Sequence, residues 1–119
     1  MPRGNSYLEK GTKEFNEHAI SSMATIIDVI QWGRDKGLND PKAQLNKVIE
    51  EVGEVAHEIC RNRYDSNMLA DGIGDALVTI LILADILGMD PMFCLEEAYD
   101  VIANREGETK DGTFIKAKE

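Results

Sequence analysis

Apolar residues recur at helical spacing through most of this chain, and strict alternation is absent until its C-terminal tail. Phe15, Met23, Ile26, Ile27 and Ile30 share one stripe, which predicts a first helix over residues 13–36 with Gly37 as its stop. Asp40 followed by Pro41 reads as an N-cap and first-turn pair. It opens a second helix in which Leu45, Val48, Val52, Val55 and Ile59 form the apolar arc. Residues 62–66 are a short polar turn. The segment DGIGDALVTILILADILG, from Asp71 to Gly88, is apolar on nearly every side and is expected to be the central, buried helix. Asp90 and Pro91 repeat the cap-and-proline signal for a fourth helix over residues 92–105. The pattern is therefore all-α: a four-helix bundle, with short connections that suggest antiparallel packing. Residues 1–12 are expected to be a flexible N-terminal segment, 13–106 the helical domain and 107–119 a tail. That tail is either a small strand-like arm turning at Asp111-Gly112 or disordered.

Acidic residues on two of these helices carry the candidate chemistry. At about 100° per residue, Gln44, Lys47, Glu51, Glu54 and Glu58 fall within one arc of about 80°. Glu51 lies closest to the apolar edge and Glu50 projects further out, so Glu51 is favoured as the inward ligand. Taken alone, this arc also reads as a solvated acidic face. Asp71 and Asp75 on the third helix change the balance. Asp75 shares a face with Val78, Ile82 and Ile86, where an ionised carboxylate is costly unless paired or metal-bound. Four carboxylates facing each other across a bundle would hold a hard divalent cation. The competing reading is a buried salt bridge from Asp75 to Lys47. Gly72 and Gly74 each cost roughly 1 kcal/mol against Ala inside a helix, so something is expected to approach the backbone there.

The chain has 119 residues, 43% of them hydrophobic, enough for one compact domain. A net charge of −9 with no basic cluster argues against a nucleic-acid surface. Cys60 and Cys94, without metal-ligand spacing, are expected to be reduced core residues, which favours a cytoplasmic setting. No signal peptide is visible, and the run from Ala76 to Leu87 is interrupted by Asp85 and too short to span a bilayer, so no membrane association is expected. Trp32 projects away from the first helix's apolar stripe and either packs against the tail or a second subunit or stacks on a nucleobase.

The segments IQWGRDKGL, KAQLNKVIEEVGEVAHEI, DGIGDALVTILILADILG and AYDVIANREGETKDGTFIK, together spanning most of residues 26–116, resemble the MazG-like branch of the all-α nucleoside triphosphate pyrophosphohydrolases. Enzymes of that type hydrolyse NTPs or dNTPs to the monophosphate and pyrophosphate, with Mg²⁺ held by an EExxE motif on one helix and an ExxD motif on the next. The resemblance implies that Glu50, Glu51 and Glu54 are the first motif, with Glu51 and Glu54 as ligands, and that Asp75 closes the second. Gly72 stands where the second motif has its glutamate. Asp71, about 40° around the helix from Asp75, is the candidate to supply the lost oxygen. The resemblance further implies a water directed at the α-phosphorus, with Glu50 or Asp71 as its base and Mn²⁺ as a substitute metal. Lys47 and Gln44 on the acidic stripe, Trp32, and Arg105 and Lys116 in the C-terminal region are the substrate-binding candidates. It also implies a homodimer or homotetramer with sites near subunit boundaries.

Two other readings remain. Glu54 and His57 form an ExxH pair of the kind used by di-iron bundles, but those need two such pairs, and His57 lies about 120° around the helix from Glu51. Alternatively, the chain has lost catalysis at Gly72 and serves as a nucleotide-binding or regulatory protein.

Overall fold

The computed structural model describes residues 6–61 and 64–117. Four helices, α1 (Lys13–Asp35), α2 (Pro41–Ile59), α3 (Ser66–Ile86) and α4 (Pro91–Ala103), are followed by strands β1 (Gly107–Lys110) and β2 (Thr113–Lys116). Each helix begins where a side chain takes up its unpaired amides. Asp40, Asp65 and Asp90 each accept from the first-turn amides of α2, α3 and α4, and Thr12 accepts from Phe15 at the start of α1. Gly37 and Gly88, at φ 72° and 73°, turn the chain out of α1 and α3. Before α1, residues Ser6–Leu8 make a single 3-10 turn, with the Tyr7 ring 4.4 Å from that of His18.

Helices α2 and α3 form the closest pair. They run antiparallel: Gln44 hydrogen-bonds to Thr79 near one end and Glu58 to Asp65 at the other. Gly72 is why they approach so closely, since a Cβ there would lie 3.0 Å from Val55 Cγ2. Gly74, on the other hand, has nothing near it, so the expected close approach belongs to Gly72 alone. Helix α1 crosses α3 where Gly33 faces Ile82, which is buried at 3% exposure. A two-point hydrogen bond from Arg34 to Asp85, at 2.6 and 3.0 Å, fastens the same crossing and holds the Asp85 carboxyl below its ordinary range.

The fourth helix departs from the antiparallel expectation. After Gly88 the chain is capped by Asp90 and directed by Pro91, and α4 leaves at 104° to α3, touching it only near Pro91. The tail is a formed β-hairpin whose loop, Asp111-Gly112, has positive φ at both residues (51° and 80°), as a tight primed turn requires. The hairpin contacts no helix.

Because α4 does not fold back, α3 is central but not buried: Ile73, Leu77 and Ile80 are exposed, as are Phe93, Leu95, Tyr99 and Ile102 on α4. Cys60 and Cys94 are free, as expected, but exposed rather than in a core. The chain is also expanded. Its radius of gyration is 16.9 Å, against about 13.5 Å for a compact domain of this length. Its accessible surface is 9854 Å², against roughly 6,400 Å² for a compact monomer of this mass. Among the described residues, no single helix is long and apolar enough to cross a membrane.

Candidate metal centre

Helical spacing brings the acids of α2 together. Glu51 and Glu54 are separated by one turn, Glu50 adjoins Glu51, and one carboxylate oxygen from each lies within 4.8 Å of the other two. Glu50 is tied to Lys47 at 3.3 Å, both half exposed, so the lysine that was a phosphate-binding candidate is engaged in an ion pair with its neighbour. An exposed pair of this kind is weak and easily exchanged. The expected alternative, a bridge from Lys47 to Asp75, does not form.

Glu51 is different. Its Oε2 is buried and has no hydrogen-bond partner. Burial raises its carboxyl above the ordinary range, and the charges of Glu54 and Asp75 raise it further, as does the hydrogen bond that a protonated Glu51 can donate to Glu54, while Lys47 acts in the opposite sense. Asp75 therefore acts on Glu51 from the other helix. A buried, unpaired carboxylate oxygen is unfavourable unless a proton or cation takes it up.

Beside Glu51, α2 and α3 enclose a cleft of about 240 Å³ lined by Glu54, Val55, Glu58, Met68, Asp71, Gly72 and Asp75. The interhelical pairs Gln44–Thr79 and Glu58–Asp65 place Glu51 opposite Gly72, midway between them. Glu54, Asp71 and Asp75 thus line one cleft with Glu51 at its edge. Asp75 is exposed, lining the open cleft between α2 and α3, rather than buried on an apolar face as the sequence suggested.

Other candidates lie elsewhere. Gln44 is 6% exposed and spends its amide on the Thr79 carbonyl at 3.1 Å, so it is a tie between helices and is not presented to the cleft. Trp32 is 51% exposed and does not line the acidic cleft; it sits in a shallow apolar depression with Thr25, Asp28, Val29 and Val78, and does not meet the tail. Arg105 follows α4 and Lys116 ends β2, and neither element touches α2. His57 is exposed and outside the acidic group, which leaves the di-iron reading without support. Glu58 continues the acidic stripe by one turn and is buried at the α2–α3 junction, where it accepts from the Asp65 amide. Its burial depends on where α3 begins, which helical periodicity in α2 does not report.

Residues 39–108 match the model of the MazG nucleotide pyrophosphohydrolase domain. The chain belongs to that family. A second match is an uncharacterized 18.2 kDa protein from the rep-hol intergenic region of Haemophilus phage HP1 (strain HP1c1), 36% identical over 62 residues. That stretch covers 50% of this chain and 37% of the phage protein, so the MazG-family chain spans only about a third of that relative's length. No solved structure matches it.

Proposed function

We propose that this MazG-family chain is a divalent-metal-dependent nucleoside triphosphate pyrophosphohydrolase, converting an NTP or dNTP to the monophosphate and pyrophosphate in cytoplasmic nucleotide-pool house-cleaning. The observation that carries the reading is the unpartnered, buried Oε2 of Glu51, set among the like charges of Glu54 and Asp75. The donor set consists of carboxylate oxygens only, which suits a hard cation such as Mg²⁺, with Mn²⁺ as a substitute. Glu51, Glu54 and Asp75 would hold it, with Asp71 supplying the oxygen that Gly72 cannot. When bound, the cation supplies neutralisation of the triphosphate and activation of the attacking water.

The chain's own groups do the rest. Lys47 exchanges its weak pair with Glu50 for a phosphate oxygen as the triphosphate arrives. That exchange frees Glu50, with Asp71 as the alternative, to accept the proton of the water attacking the α-phosphorus, and pyrophosphate leaves. The cleft holds no unpaired cation among the described residues of a single chain, so further phosphate contacts from Arg105 and Lys116 come from a second copy. The surface excess and the uncovered apolar faces of α3 and α4 support a homodimer or homotetramer. Trp32 then serves as a subunit contact or a base platform.

Pyrophosphate release over a panel of NTPs and dNTPs, with Mg²⁺ or Mn²⁺, tests the reading. Activity is expected only with metal and nearly vanishes in folded Glu54→Gln and Asp75→Asn; Glu50→Gln costs about a hundredfold or more if Glu50 is the base, and is milder if Asp71 takes that role. Absence of release with every nucleotide, together with retained nucleotide binding, favours a regulatory protein instead. The specific observation on that side is Gly72, where Val55 occupies the space that a glutamate's Cβ needs.

A further inference from the structure

Two buried polar side chains tie α2 to α3, and the proposed chemistry uses neither. Gln44 donates its amide to the Thr79 carbonyl. Glu58, 6% exposed, receives the Asp65 amide on Oε1 at 3.0 Å and the Arg61 guanidinium on Oε2 at 3.2 Å, so both of its oxygens are occupied. Asp65 in turn caps α3 by accepting from Asn67 and Met68. The carboxylate therefore clasps the exit of α2 to the first turn of α3. Glu51 lies midway between Gln44 and Glu58 along α2, and Gly72 midway between Asp65 and Thr79 along α3.

We propose that Gln44 and Glu58 are positioning residues, two struts that set the separation of α2 and α3 at the acidic cleft and so the fit of Glu51, Glu54, Asp71 and Asp75 to a cation. The inference rests on the metal-centre reading above. The physical reason lies in the cleft itself: it gathers like charges that push α2 and α3 apart at the point where Gly72 brings the two helices close. A hydrogen bond on either side of that repulsive stretch keeps the helices from splaying or sliding before a cation arrives. Buried polar ties suit this role because their geometry is directional, unlike apolar contact.

Mn²⁺ binding to the full-length chain without nucleotide, measured by titration calorimetry, tests the struts. Amide exchange at Asn67, Met68 and Leu69 is the second readout. Glu58→Ala is expected to weaken Mn²⁺ binding on the order of tenfold, the low end of what losing the support of a metal ligand costs, and to speed exchange at those amides. Glu58→Gln keeps an oxygen for the Asp65 amide and recovers most of both. Gln44→Met, altered outside the cleft, weakens Mn²⁺ binding in the same direction. If Glu58→Ala does not fold, Glu58→Asp, whose carboxylate stops one methylene short of the Asp65 amide, takes its place with the same expectation. Equal loss in Glu58→Gln and Glu58→Ala would make Glu58 a ligand and overturn the proposal. Unchanged Mn²⁺ affinity in Gln44→Met and Glu58→Ala overturns it too, leaving the metal centre standing. A wild-type chain that binds no Mn²⁺ removes the metal centre and the struts with it, and shows this before any variant is compared.

Discussion

Replacing Glu51 by glutamine is expected to stabilise the metal-free protein while abolishing its response to metal. The folded state raises the Glu51 carboxyl through burial and the charges of Glu54 and Asp75. A group with a raised folded-state pKa holds its proton more tightly in the folded than in the unfolded chain. Its favourable contribution is present below the ordinary value of 4.5 and lost as pH climbs through the raised one. The metal-free wild type should therefore melt higher near pH 4 than at pH 7, relative to Glu51→Gln, and at pH 7 the variant should melt higher than the wild type. With metal the order reverses. A cation at a hundred times its dissociation constant stabilises a folded domain by about 2.7 kcal/mol, which for a chain of this length is about 10 °C in melting temperature. Differential scanning fluorimetry with EDTA, Mg²⁺ and Mn²⁺ at both pH values reads all of these. A metal-free variant melting below the wild type at pH 7, or a variant retaining the metal-induced rise, would refute the assignment of Glu51 as the centre of the site.

Asp71→Asn should weaken metal binding, but adding Gly72→Glu alone should not repair it, because its Cβ meets Val55 Cγ2 at 3.0 Å. Overpacking of this kind costs about 1–3 kcal/mol, so recovery is expected only with Val55→Ala in the same chain, read by Mn²⁺ titration and thermal melting. Light scattering at micromolar concentration should give at least twice the 13.2 kDa chain mass, and a monomer mass would remove the second copy from the site. Truncation after Glu106 should leave the helices folded, since the hairpin touches none of them, and should raise KM more than it lowers kcat; unchanged kinetics would exclude Lys116 from substrate binding. Asp85→Asn removes half of its pair with Arg34, in which the arginine is exposed and the aspartate only 18% exposed, and should cost about 1 kcal/mol of stability by chemical denaturation, with activity retained.

The helices themselves were legible in the sequence because their signals are local. An aspartate cap, a proline in the first turn and a glycine after the last each act within a few residues: α2 and α4 begin at Asp40-Pro41 and Asp90-Pro91, and α1 and α3 end just before Gly37 and Gly88. The Asp111-Gly112 turn is equally local, so an arm was foreseeable, though not that it would be a formed hairpin clear of the helices. The grouping of Glu50, Glu51 and Glu54 follows from helical spacing alone. What crosses between helices was beyond that reach. Burial of Glu51 Oε2 and its coupling to Asp75 depend on how closely α3 approaches, and that is decided by the missing side chain at Gly72 against Val55. The engagement of Gln44 with Thr79 and of Glu58 with Asp65 depends on the register of the α2–α3 pair. Most of all, the 104° departure of α4 leaves Ile73, Leu77 and Ile80 of α3 exposed. Periodicity reports which face of a helix is apolar, but only the direction in which the next helix leaves decides whether that face is covered by its own chain.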